Sequence, residues 1–136
     1  MNIGVVIVTH YQLGAEFLHA LRLIVPDAPG FLAVSIDPNQ SVDEMRRSIA
    51  DALATADSGN GVLVLTDMFG GTPSNMSLSF VEGSGVEVVT GLNLPMLIKL
   101  ATLTEEKGLK ELATFIKSYG QRNISVASEI LPEKDR

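Results

Sequence analysis

The sequence predicts an α/β fold: a doubly wound, mostly parallel four-stranded sheet in the order 2-1-3-4, with helices on both faces. Three observations predict it. Apolar, β-branched runs alternate with stretches of helical spacing along the chain. The leading runs are continuously apolar, the pattern of strands covered on both faces. Two of them end beside side chains suited to chemistry, His10 and Asp67. A parallel sheet binds ligands there, outside the carboxyl ends of its strands.

Residues 3–8, IGVVIV, form the first strand and run into Thr9-His10. Residues 11–25 follow as a helix, with Leu13, Phe17, Leu18, Leu21 and Ile24 or Val25 at helical spacing, stopped by Pro26 and Pro29-Gly30. Residues 31–36, FLAVSI, make the second strand, closed by Asp37-Pro38. Ser41 and Glu44 match the reciprocal S-x-x-E capping box of the next helix, whose stripe is Met45, Ile49 and Leu53. The third strand is Val62–Thr66, followed by Asp67, the pair Gly70-Gly71 and a helix start. Thr72 is the expected N-cap there, with Pro73 at the first helical position, where its missing N–H costs nothing. That helix runs to about residue 81, and Val86–Thr90 is the fourth strand.

Gly91-Leu92-Asn93-Leu94-Pro95 repeats the pattern of glycine loop and proline-started helix, which reaches about residue 103. Thr104 caps a last helix, with Glu105 and Glu106 in its first turn, the favourable end for negative charge, ending near Tyr119-Gly120. Residues 123–128, NISVAS, alternate and are β-rich. Such a strand joins only at a sheet edge, within the chain or across to a second subunit. Residues 129–136 are expected to be a short tail, leaving residues 1–128 as one domain.

At 136 residues the chain is long enough for one domain with a sizeable core. No apolar run approaches the roughly 18 residues that a membrane span requires, so direct membrane insertion is not expected. The N-terminus has no basic region and no small-residue cleavage site, and it reads as a strand rather than a signal peptide. The chain has no cysteine, which excludes disulfide and thiolate chemistry and points to a cytoplasmic location. A net charge of −6 argues against a nucleic-acid partner, which usually meets a basic patch.

In the order 2-1-3-4, the first and third strands are neighbours, which brings His10 and Asp67 together. A carboxylate accepting one imidazole N–H fixes the tautomer and leaves the other nitrogen as a directed nucleophile. Backbone amides around Gly70, Gly71 and the Thr72 helix start form an anion site. The hydroxyls of Thr9, Thr66 and Ser74 either add donors to it or satisfy local backbone groups. Nucleophile, orienter and anion cradle together describe phosphoryl transfer through a phosphohistidine on His10. His19, inside the first helix, reads as a structural or surface imidazole. No metal site and no organic cofactor are expected. The two histidines sit in unlike settings, the acids lack calcium-loop spacing, and neither nucleotide-binding glycine motif is present. No serine lies in a G-x-S-x-G turn.

These residues resemble a known family. The strand running into Thr9-His10, the segment Thr66-Asp67-Met68-Phe69-Gly70-Gly71-Thr72-Pro73-Ser74-Asn75, and Gly91-Leu92-Asn93-Leu94-Pro95-Met96-Leu97 are similar to the IIA component of the mannose family of the bacterial phosphoenolpyruvate:sugar phosphotransferase system. The resemblance covers residues 1 to about 128. It implies that His10 accepts phosphate from the phosphocarrier HPr and passes it to a IIB protein, with the phosphate on Nε2 and Asp67 facing Nδ1. It also implies a homodimer in which the last strand is exchanged between subunits. Met68 and Phe69 then form a partner-facing lip or, equally, pack under the loop. Two departures stand out. The family often has glycine after the histidine, where this chain has Tyr11, and no IIB domain follows Arg136, so the acceptor is expected to be a separate polypeptide.

Three alternatives stay open on these residues. One is a regulatory protein whose docking is switched by phosphorylation of His10. The second is the phosphoryl-donor subunit of a dihydroxyacetone kinase, against which the Gly70-Gly71-Thr72-Pro73 segment and the lack of fused HPr-like domains argue. The third is a small-molecule binder on a flavodoxin-like fold.

Overall fold

The computed structural model describes residues 2–83 and 85–131. Along them run β1 Gly4–His10, α1 Leu13–Ile24, β2 Leu32–Ile36, α2 Val42–Ala56, β3 Val62–Thr66, α3 Thr72–Leu78, β4 Val86–Thr90, α4 Leu94–Thr102, α5 Leu109–Arg122 and α6 Ala127–Ile130. The strands form one sheet in the order β2-β1-β3-β4, and every pairing is parallel. This is the expected winding.

The period-2 geometry of β1 explains its unbroken apolar run. Val5 and Ile7 join Leu63 and Leu65 in a core shared with α1, α4 and α5. Val6 and Val8 join Val62 and Val64 in a second core closed by Met45, Ile49 and Leu53 of α2. β1 and β3 thus each serve two cores at once and have no wet face to mark with polar residues. Burying each such aliphatic side chain contributes about 1.5–3 kcal/mol, which is what docks the helices on both faces.

The register places the functional end of the sheet. The β1–β3 ladder ends with Val8 opposite Thr66, whereas the β1–β2 ladder continues to His10 opposite Ile36. β1 therefore outlasts β3 by two residues, and Asp67 leaves β3 beside the exposed end of β1. The amides of Gly91 and Leu92 both donate to the Thr66 carbonyl at 3.0 Å, which ties the end of β4 to the same place.

The Ser41 capping box is present in full: the Glu44 amide donates to Ser41 Oγ at 3.1 Å and the Ser41 amide to Glu44 Oε1 at 3.0 Å. The backbone hydrogen bond from Ser41, and then its side-chain bond, hold the Glu44 carboxyl below its ordinary value. Asn93 caps α4 by accepting from the Met96 amide at 3.2 Å, and its own amide group reaches the Gly120 carbonyl of α5 at 3.0 Å.

Three expectations are corrected. The N-cap of α3 is Gly71, with Thr72 as the first helical residue. The last long helix starts at Leu109 after an N-cap at Gly108, not after Thr104. A helix begun at Thr104 would carry Gly108 in its interior, at a cost of about 1 kcal/mol, and Gly108 outside the helix avoids that. Residues 123–128 are not a strand. The chain turns at Asn123, whose amide donates to the Gly120 carbonyl and whose side chain donates to that of Tyr119, and a single helical turn follows at Ala127–Ile130. An alternating pattern becomes a strand only beside a ladder partner. Here the segment leaves α5 in solvent, so local turns take its backbone groups. Of the tail expected over residues 129–136, residues 132–136 lie outside the described residues.

Candidate functional site

His10 is the last residue of β1, and its side chain is half-exposed. Its amide, lacking a strand partner on the β3 side, donates to Asp67 Oδ2 at 3.1 Å. The imidazole Nδ1 lies 2.8 Å from the same oxygen. The other carboxylate oxygen, Oδ1, accepts from the Met68 amide at 3.1 Å. Burial pushes the Asp67 carboxyl up. The hydrogen bonds from the His10 ring and amide, with the charge of His10, outweigh it and hold the group below its ordinary value. An ionised carboxylate only accepts. In the neutral imidazole Nδ1 therefore carries the proton, and Nε2 keeps its lone pair.

Gly71 makes room for that ring. A side-chain carbon at position 71 would stand 2.7 Å from His10 Cε1 and 3.1 Å from Nε2. The Gly71 backbone is ordinary (φ −88°), so the glycine is needed for space rather than for conformation. Gly70 is the reverse: open space surrounds it, and its φ of +91° is one that glycine adopts freely. The pair divides the work, one glycine turning the loop and the other admitting the imidazole.

The expected hydroxyl donors are distributed unevenly. Thr9 is fully buried, and its Oγ1 accepts from the Gly14 amide at 2.7 Å, capping the first turn of α1. Thr66 is also fully buried and directs its hydroxyl at the Met68 carbonyl at 3.4 Å. Ser74 is buried in α3, and its hydroxyl has no partner among the described residues. Thr72 is exposed at the start of α3. Met68 and Phe69 are 52% and 71% exposed, so they rise from the loop rather than pack beneath it. His19 is exposed on α1, 3.3 Å from Glu16 one turn earlier, and takes no part in the site.

One feature beside the site went unread in the sequence. Tyr11 has φ +45°, the one positive value outside glycine among the described residues. Its amide donates to the Ile36 carbonyl at 3.0 Å, which extends the β1–β2 pairing before the chain turns into α1. A non-glycine residue in this region costs about 1–2 kcal/mol. The signal was available as the departure at position 11 from a residue type that fits positive φ without strain.

Comparison with known proteins identifies the family. A family profile described as PTS system fructose IIA component matches residues 4–117. The fructose-specific EIIA component of Bacillus subtilis (strain 168) is 29% identical over 130 residues, covering 95% of this chain and 89% of the relative. The sorbose-specific EIIA component of Lacticaseibacillus casei is 26% identical over 126 residues, covering 92% and 91%. Among solved structures, the mannose/sorbose specific IIA subunit from Enterococcus faecalis superposes with a TM-score of 0.86 at 30% identity, covering 98% of each chain. With that profile spanning most of its length, the chain belongs to the mannose-type IIA components of the sugar phosphotransferase system.

Proposed function

We propose that this chain is a phosphohistidine carrier that accepts a phosphoryl group from HPr on His10 and passes it to a separate IIB protein during sugar uptake. The observation that carries the reading is the 2.8 Å contact between His10 Nδ1 and Asp67 Oδ2. Because Asp67 fixes the proton on Nδ1, the Nε2 lone pair attacks the phosphorus of the donor's phosphohistidine. The new Nε2–P bond forms as the donor's N–P bond breaks, and the departing imidazole keeps the electron pair. The positive charge that develops on the His10 ring lies against the Asp67 carboxylate, and positioning and charge stabilisation supply the rate. The second transfer to IIB is the same step in reverse roles.

The backbone of Gly70, Gly71 and Thr72, with the exposed Thr72 hydroxyl, is the proposed seat of the phosphoryl oxygens. The buried hydroxyls of Thr9 and Thr66 act one step behind, holding the loops, and Ser74 supports the seat from within α3. Exposed Met68 and Phe69 form the lip on which partner proteins dock. The described residues contain no helix long and apolar enough to cross a membrane, and the proposed place of action is the cytoplasm. A homodimer built through residues 123–130 completes the proposal, since Ile124, Val126 and Ile130 stand exposed beyond α5.

The test is incubation with phosphoenolpyruvate, enzyme I and HPr, followed by mapping of acid-labile phosphate. One phosphate per chain on His10 is expected and none in His10→Ala; phosphate retained by that variant would overturn the assignment. Asp67→Asn removes a charge-assisted hydrogen bond of about 1.5–3 kcal/mol. It should slow transfer by about 10–100-fold while leaving the circular dichroism spectrum unchanged.

A further inference from the structure

We propose that Met68 is an oxidation site through which peroxide slows phosphoryl transfer at His10, an inference that rests on the carrier reading above. Met68 is the one exposed methionine among the described residues. Met96 and Met45 are buried in the first and second cores, and Met76 packs partly buried against the second. A thioether must meet peroxide to be oxidised, so Met68 is the sulfur reached first. Its side chain also stands at the site itself. The point where a side-chain carbon on Gly71 would lie is 3.1 Å from His10 Nε2 and 3.6 Å from Met68 Cγ. The nucleophilic nitrogen and the Met68 side chain thus flank one small space. The Met68 backbone is pinned beside it: its amide donates to Asp67 Oδ1 at 3.1 Å, and its carbonyl accepts from the Thr66 hydroxyl at 3.4 Å. The residue cannot swing away without loosening the acid that orients the imidazole.

The step needs one co-reactant, hydrogen peroxide. A sulfur lone pair attacks one peroxide oxygen, the S–O bond forms as the O–O bond breaks, and the departing hydroxide takes the proton left on the transferred oxygen to give water. Sulfur loses two electrons and peroxide gains them. The product replaces an apolar thioether with a polar sulfoxide, whose oxygen only accepts hydrogen bonds. Phosphoryl oxygens are acceptors too. Two such groups at one opening repel. Within the same opening the sulfoxide favours a proton on Nε2, the form of the ring that cannot attack phosphorus. Both effects act against transfer. Enzymatic reduction returns the sulfoxide to the thioether, so the block is reversible.

The test treats the full chain, as wild type and as Met68→Leu, with hydrogen peroxide and then removes the peroxide. Phosphate uptake from phosphoenolpyruvate, enzyme I and HPr is then measured, each protein against its own untreated sample. In the wild type, peptide mapping should find sulfoxide at Met68 before Met45, Met76 or Met96. Once Met68 is converted, uptake should be about tenfold slower. The melting temperature should not change, because Met68 belongs to neither core. The two methionine sulfoxide reductases with dithiothreitol should restore the rate. Treated Met68→Leu should stay within about twofold of its own untreated rate. The inference is overturned by earlier oxidation at another of these methionines, by unchanged uptake after Met68 is converted, or by a fall in melting temperature. It is equally overturned by a loss that the reductases do not reverse, or by an equal loss in treated Met68→Leu. An untreated wild type that takes up no phosphate overturns the carrier reading instead.

Discussion

A methyl group at position 71 would occupy the space that the His10 ring uses. Because the Gly71 backbone suits any residue, Gly71→Ala is a clean probe of this contact. It should fold normally by circular dichroism yet lose about 100-fold in phosphoryl transfer, the cost of a misplacement of about 1 Å. Asp67 supplies a second test at this scale. Its carboxyl is held below its ordinary value, so its contribution to stability is complete above the unfolded value of about 3.9 and disappears as pH falls through the lower folded value. The gap in melting temperature between wild type and Asp67→Asn should therefore be full at pH 7 and close only below about pH 4. His10 and Asp67 were legible in the sequence because each ends or follows a buried strand and the winding makes those strands neighbours. The destinations of the Thr9 and Thr66 hydroxyls were not legible. Which backbone amide a hydroxyl meets depends on loop geometry that residue types leave open. The positive φ of Tyr11 was signalled only by the departure from glycine at that position.

At the scale of elements, strands were easier to read than helix ends. β3 falls where its apolar run falls, because two-sided burial leaves little freedom, and the partly buried edge strand β4 is found over its expected residues too. The α2 start was read correctly, since a reciprocal box names both of its partners. Ser41→Ala should cost about 1 kcal/mol in urea denaturation, through the loss of that cap. The α5 start was misread: Thr104 with two acids imitates a cap, but the penalty for a glycine within the helix moves the start to Leu109. Residues 123–128 show the sharper limit. Their alternation records a preference for pairing and cannot say whether a partner strand is present.

For the whole molecule, the regular alternation of strand and helix made the winding legible, and with it the meeting of residues 10 and 67. What lies beyond one chain was not legible. A groove of about 220 Å³ runs along β4 beside Lys110, Thr114 and Lys117 of α5. If a second copy covers the exposed segment beyond α5, Ile124→Asp with Val126→Asp should convert a dimer to a monomer in light scattering while the helix content stays constant. A monomeric wild type would remove the dimer from the proposal. One carboxylate oxygen, Asp67 Oδ2, receives both the amide and the ring of His10. The aim of the proposed nucleophile is thus tied to the spacing of two central strands, and a swivel of the ring gives up its bond to the oxygen that also holds the His10 amide. Under the proposed mechanism, loop side chains around the opening can be exchanged for others while the direction of Nε2 stays as it was.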